Sequence, residues 1–183
     1  MKRLYLLRHA KSSWDAPALA DHDRPLAPRG RRAAEAIAQH LRNEGIAPEL
    51  VLCSPSARTR QTLTAIARGL GEKADVRLES ELYAASAATL LELLHELPDE
   101  VSSVMLIGHN PGIQDLAVSL AGGGPAIERM RSKFPTAALA TLELSGSWSE
   151  LAPERAELVA FVKPKDLPST PGRKPPGESS TAG

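Results

Sequence analysis

With 183 residues, 42% of them hydrophobic and 24% charged, the chain has the size and make-up of one globular domain, which excludes both a wholly disordered polymer and a membrane-embedded one. Lys plus Arg and Asp plus Glu each number 22, so the formal net charge is zero and nothing global draws the chain to nucleic acid or an anionic membrane; any affinity for phosphate has to be local. Cys53 is the one cysteine, which excludes an intramolecular disulfide and a cysteine metal cluster and fits a reducing cytoplasm.

Leu4 to Leu7 is a short apolar run broken by Arg8-His9, too short for a signal-peptide core, and no stretch of about 18 or more apolar residues occurs elsewhere. The expected location is therefore cytoplasmic. The run reads as a buried strand ending at Arg8-His9. After a loop carrying Trp14, Asp15, Pro17 and Asp21-His22-Asp23, the spacing of Ala34, Ile37, Ala38 and Leu41 predicts a helix over 28–43, stopped by Gly45. Residues 50–53 read as a second buried strand and 57–70 as a helix closed by Gly71. A short edge strand is expected over 75–78, a helix over 87–97 with Leu90, Leu91, Leu94 and Leu97 inward, and another buried strand over 104–107. A helix over 113–121, a loop at Gly122-Gly123-Gly124-Pro125 and two late strands over 138–144 and 157–162 complete the pattern. Strands alternating with helices imply an α/β fold whose parallel or mixed sheet is covered on both faces. From residue 164 the composition turns to Pro, Ser, Thr, Gly and Lys, so residues 1–163 are expected to form the domain and 164–183 a disordered tail.

Three predicted strands run into polar groups: Arg8-His9, then Ser54-Pro55-Ser56-Ala57-Arg58, then Gly108-His109-Asn110. In open α/β sheets ligands bind beyond the carboxyl ends of strands, so these groups can share one pocket. Two guanidinium groups suit phosphate oxygens, and two imidazoles can act as nucleophile, donor or proton carrier. A neutral imidazole attacks phosphorus without first losing a proton, and neighbouring guanidinium groups disfavour its protonation. Charge neutralisation by Arg8, Arg58 and His109 then takes the place that metal ions hold in many phosphoryl-transfer sites, so no metal and no cofactor is expected.

Four segments in order, Leu7-Arg8-His9-Ala10-Lys11-Ser12-Ser13-Trp14, Asp23-Arg24-Pro25-Leu26 to Gly30, Ser54 to Thr62, and Gly108-His109-Asn110-Pro111-Gly112, resemble the histidine phosphatase superfamily, and within it the SixA-type phosphohistidine phosphatases. The resemblance spans about Leu4 to Val162. It implies a phosphoglycerate-mutase-like three-layer α/β/α sandwich with a mostly parallel central sheet. It further implies that His9 is transiently phosphorylated, that Arg8 and Arg58 clamp the phosphoryl oxygens and that His109 hydrogen-bonds them. Asp15 falls where relatives place a polar pocket residue, Ser12 and Asn110 fall on the pocket rim, and Glu81 is the nearest candidate for a proton donor. The family's usual Arg-His-Gly is Arg-His-Ala here, which puts a Cβ after the nucleophile. The implied substrate is a phosphorylated partner protein or a small phosphorylated molecule. A short chain and an indistinct acid tilt toward phosphohistidine, whose imidazole leaves more readily than an alkoxide.

One competing reading is a phosphate-recognition module that binds phosphorylated partners without turnover, which the presence of Arg8, His9, Arg58 and His109 together disfavours; the others are bland. Asp15, Asp21, His22, Asp23 and His9 match no zinc spacing. Cys53 and Arg58 are spaced C-x4-R rather than C-x5-R, and Cys53 ends an apolar strand, which places it in the core.

Overall fold

Leu4 to Leu7, Leu50 to Cys53 and Val104 to Ile107 are uninterrupted apolar runs, the pattern of strands buried on both faces, and their period of two sorts the side chains into two cores. The computed structural model describes residues 1–71 and 73–168. Its strands are β1 (Lys2–Arg8), β2 (Leu50–Cys53), β3 (Asp75–Leu78), β4 (Ser103–Gly108), β5 (Leu139–Leu144) and β6 (Ala156–Val162). Leu4, Leu6, Leu52 and Leu106 turn to one face; Tyr5, Leu7, Val51 and Ile107 turn to the other. The second face is covered by α1 (Pro28–Asn43) and α2 (Ala57–Ile66), through Ala34, Ile37, Leu41 and Ile66. The first is covered by α3 (Ala87–His95), α4 (Gly112–Ala121) and α5 (Pro125–Ser132), through Leu90, Leu94, Leu116, Leu120 and Met130. The result is the expected three-layer α/β/α sandwich.

The six strands lie in the order β3-β2-β4-β1-β5-β6. The first four pair in parallel, while β5 runs antiparallel to β1 and β6 antiparallel to β5. Parallel neighbours end on the same sheet edge, so β2, β4 and β1 deliver their carboxyl ends side by side.

Local chemistry explains the element boundaries. Ser56 and Ser86 cap α2 and α3 by accepting the backbone N–H of Thr59 and Thr89. Pro28 opens α1, where its missing N–H costs nothing. The predicted second helix stops four residues early, at Ile66, and continues as a tight 3-10 turn over Ala67–Gly69, where Gly69 sits against the Ala38 backbone too closely for a Cβ. Helix α5 has no counterpart in the sequence reading: its eight residues bury only Ile127 and Met130, too few positions to show a period. The expectation of disorder from residue 164 is corrected for 164–168. Pro164–Asp166 forms a 3-10 turn and Leu167 packs into the core cluster that α1 shares, an apolar anchor the Pro-rich composition obscured. Residues 169–183 of the expected tail lie outside the described residues.

The β1–α1 loop is pinned where it matters for the site. Ala27 donates its N–H to the Lys11 carbonyl at 2.8 Å, Ser12 bridges to Leu26, and a Cβ on the buried Gly30 would collide with that same carbonyl. Gly30→Ala is therefore expected to destabilise the chain by about 1–3 kcal/mol, because backbone rather than a movable side chain has to give way. Urea denaturation measures this, and an unchanged midpoint would refute it.

Candidate active site

Ladder hydrogen bonds extend past the strand ends and fix the residues that follow. The His9 N–H donates to Gly108 O and the Ser54 N–H to Ile107 O, both at 3.0 Å, while the Ala137 N–H donates to the carbonyls of Arg8 and His9. Arg8-His9, Ser54–Arg58 and His109 are thereby set on one edge, together with the amino ends of α2 and α4, whose free N–H groups favour an anion.

His9 is 8% exposed, and its Nδ1 lies 2.7 Å from the Ala10 carbonyl. A carbonyl can only accept, so Nδ1 carries the proton and Nε2 keeps its lone pair free. Burial, against a hydrogen bond to Ala10 that opposes it, pulls the His9 imidazole down to about 3. The ring is neutral at neutral pH. His109 lies 5.2 Å from His9 between ring centroids. Its Nδ1 sits 3.3 Å from Arg58 Nη2, which can only donate, so its Nε2–H donates to Ser54 Oγ at 2.8 Å. Burial first, then Arg58, pulls His109 down to about 4.

Two guanidinium groups complete the cluster. Arg8 Nη1 donates to the Phe134 carbonyl at 2.8 Å, and its buried Nε has no hydrogen-bond partner among the described residues, leaving an N–H available to a ligand oxygen. Arg58, 8% exposed, donates Nη1 to the Asp21 carbonyl at 2.7 Å and Nη2 to Asp21 Oδ2 at 3.0 Å. A neutral imidazole lone pair beside two cationic forks and a second imidazole can attack and hold a phosphoryl group.

Asp21 and Tyr83 also belong to this cluster, although sequence reasoning did not assign them to it. The Tyr83 hydroxyl donates to Asp21 Oδ2 at 2.7 Å, and the ring meets His109 edge-on at 5.4 Å. Tyr83 and then Arg58 hold the Asp21 carboxyl at about 2, against partial burial. Asp21 stands two residues before the matched segment Asp23-Arg24-Pro25-Leu26, which was the available signal.

The remaining candidates separate. Ser12 is buried and accepts from Arg24 Nη2 at 2.7 Å, and Arg24 in turn reaches Asp21 at 3.3 Å and stacks over Trp14 at 3.2 Å. Ser12 therefore holds the loop that carries Asp21. Asn110 donates Nδ2 to the Phe134 carbonyl that also holds Arg8, and to Gln114. Asp15 is exposed and its side chain makes no hydrogen bond or ion pair among the described residues. Glu81 is exposed in the 3-10 turn Ser80–Leu82 and likewise has no partner among them; the structure brings Asp21, not Glu81, into contact with Arg58. Cys53 is wholly buried, and burial pushes its thiol up to about 12, which fits a core residue. Among the described residues no three His, Cys, Asp or Glu side chains are grouped to hold a metal, and no helix is long and apolar enough to cross a membrane.

The two depressed imidazoles set a pH dependence of stability. Between about 6.5 and 3 the unfolded chain takes up protons on His9 and His109 that the folded chain refuses, so stability is full above about 6.5 and falls as pH drops through that window. Denaturation midpoints between pH 7.5 and 4 should decline, and a midpoint that rises toward pH 5 would contradict the buried neutral pair.

Residues 4–90 match the model of the histidine phosphatase superfamily (branch 1). A protein from Mycobacterium leprae (strain TN), itself uncharacterized, is 41% identical over 165 residues, covering 87% of this chain and all of the relative. A solved structure from Nakamurella multipartitia, assigned as the phosphohistidine phosphatase SixA, is 36% identical with a TM-score of 0.78, covering 89% of this chain and 96% of that one. The protein histidine phosphatase SixA complexed with tungstate is 25% identical with a TM-score of 0.75, covering 90% and 98%.

Proposed function

The chain belongs to the histidine phosphatase superfamily, a phosphatase on the phosphoglycerate-mutase-like fold, and from that premise we propose that it removes phosphate from phosphohistidine on a partner protein. His9 Nε2 attacks phosphorus, the bond from phosphorus to the substrate imidazole breaks, and the substrate ring, protonated from solvent on its unphosphorylated nitrogen before attack, leaves as neutral imidazole. Water then attacks phospho-His9 and releases inorganic phosphate, restoring the neutral ring. Arg8 through Nε and Arg58 hold the non-bridging oxygens and offset the charge that builds on them, and His109 joins them by exchanging Ser54 Oγ for a phosphoryl oxygen as the acceptor of its Nε2–H. The Ala10 carbonyl keeps the proton on Nδ1 through both steps.

The observation that carries the phosphohistidine reading is the state of the carboxylate at the site. Asp21, the one carboxylate touching Arg58 among the described residues, is held at about 2 and is ionised at neutral pH, so it offers no proton to an alkoxide. A leaving group that departs as neutral imidazole fits this site better than one that needs an acid. That a SixA relative forms a complex with the oxyanion tungstate supports the reading of this chain as one that binds a phosphoryl group.

Turnover of a histidine-phosphorylated protein and of a panel of sugar and nucleotide monophosphates tests the proposal. The phosphohistidine substrate should exceed each ester in kcat/KM by roughly a hundredfold or more, and Glu81→Gln should leave that rate within about twofold. Faster ester turnover, with a loss in Glu81→Gln confined to esters, would transfer the assignment to a small phosphomonoester phosphatase with Glu81 as its acid.

A further inference from the structure

A groove of about 1180 Å³ runs between the first half of α1, the end of α5 with the loop after it, and residues 163–168. Seven lysines and arginines line it against two carboxylates, on a chain whose net charge is zero. The positive charge is therefore concentrated, not an overall property. Of the two carboxylates, Glu128 is already engaged by Arg131 at 3.4 Å, and Lys163 by Asp166 at 3.6 Å. Arg29, Arg32, Arg129, Lys133 and Lys165 are exposed and form no ion pair among the described residues.

Residues that line the groove are chain neighbours of those that build the phosphoryl site. Lys11 lines it two residues after His9, and Pro135 and Thr136 line it between Phe134, whose carbonyl holds Arg8, and Ala137, whose N–H holds the His9 carbonyl. Its α1 wall is a second face of that helix: Arg29, Arg32, Ala33 and Ala36 recur at helical spacing beside the stripe of Ala34, Ile37 and Leu41 that packs on the sheet. Small or apolar groups thus form the floor and long cations the rim, with Leu167 and Pro135 continuing the floor.

The occupant is constrained by these features. Rim cations on flexible stems attract a distributed negative charge without fixing one small anion, and the volume exceeds the usual range for small-molecule pockets. The chain's own residues 169–183 carry Arg173 and Lys174 against Glu178, so they do not complement a basic groove. We propose that this groove docks an acidic segment of the phosphorylated partner protein, apolar on one side, lying beside its phosphohistidine. This rests on the reading of the substrate as a phosphoprotein and adds to it the chemistry of the partner's surface.

The test uses the full chain, an R32E/K133E double variant and three substrates. These are free phosphohistidine, a phosphohistidine peptide followed by a segment of Glu, Asp and Leu, and the same peptide with Gln and Asn for the acids. The acidic peptide should exceed the neutral one by about tenfold in kcat/KM, expressed in KM and shrinking as salt rises from 50 to 300 mM. The double variant should abolish that advantage while leaving free phosphohistidine turnover unchanged. Equal rates for the two peptides, or an advantage that survives charge reversal, would overturn the proposal. If phosphohistidine is not hydrolysed at all, the substrate reading fails separately. Fluorescence anisotropy of a labelled, unphosphorylated acidic peptide then still reads the groove. Displacement of that peptide by one of residues 169–183, or equal binding of a short oligonucleotide, would assign the groove to the chain's own tail or to polyanions in general and overturn it.

Discussion

His9→Ala should lower turnover by on the order of 10³-fold or more and eliminate the phosphoryl adduct that quenched wild-type protein shows by mass spectrometry. The expectation follows from which atom is free. Ala10 engages Nδ1 at 2.7 Å, so Nε2 is the lone pair facing the cluster, and removing the ring leaves no second neutral nucleophile in its place. His109 cannot substitute, because Arg58 engages the lone pair on its Nδ1 and its Nε2 carries the proton. Arg8 and Arg58 remain in the variant, so oxyanion binding should survive while chemistry is lost. A variant that still turns over at wild-type rate, or that keeps its adduct, would remove His9 from the mechanism. A circular dichroism spectrum unchanged from wild type separates this from unfolding, since alanine at a buried position also leaves a small void.

The parts of this arrangement that could be read in the sequence were those written as local periodicity. α1, β2 and β3 fall where their spacing put them because Ala34, Ile37, Ala38 and Leu41 repeat on one helical face and Leu50 to Cys53 is uniformly apolar. The three strand ends were also legible, since each apolar run stops abruptly at Arg8-His9, Ser54 or Gly108-His109. Asp21 and Tyr83 were not. They lie 37 residues before and 25 residues after Arg58, and meet only because the β1–α1 loop folds back over the sheet edge through Ser12, Arg24 and Leu26. A contact made by loop closure leaves no spacing to detect. The antiparallel turn of β5 onto β1 was equally silent, because a strand buried on both faces looks the same in either direction. Glu81 entered as the nearest carboxylate by position, whereas the carboxylate that reaches Arg58 belongs to a loop far upstream.

Arg58→Ala should reduce kcat/KM by about 10²- to 10³-fold, the scale of losing one preorganised donor to a developing oxyanion. More than a charge is removed: Nη2 also donates to His109 Nδ1 at 3.3 Å, and without it that ring loses the contact that fixes its tautomer. Arg58→Lys should rescue little, because one ammonium cannot reach the Asp21 carbonyl, the Asp21 carboxylate and His109 at once. Asp21→Asn is expected to cost less, roughly tenfold, since the backbone carbonyl at position 21 still holds Nη1 at 2.7 Å and an amide oxygen can still accept from Tyr83. If Asp21 works by holding Arg58, its loss matters only while Arg58 is present. The double variant should then be no slower than Arg58→Ala alone, a coupling that reads directly in a double-mutant cycle. Additive losses would mean that Asp21 acts on substrate by its own route, and a gain in Asp21→Asn would mean that its carboxylate competes with the phosphoryl group for Arg58. Either result would rule out Asp21 as the group that positions Arg58.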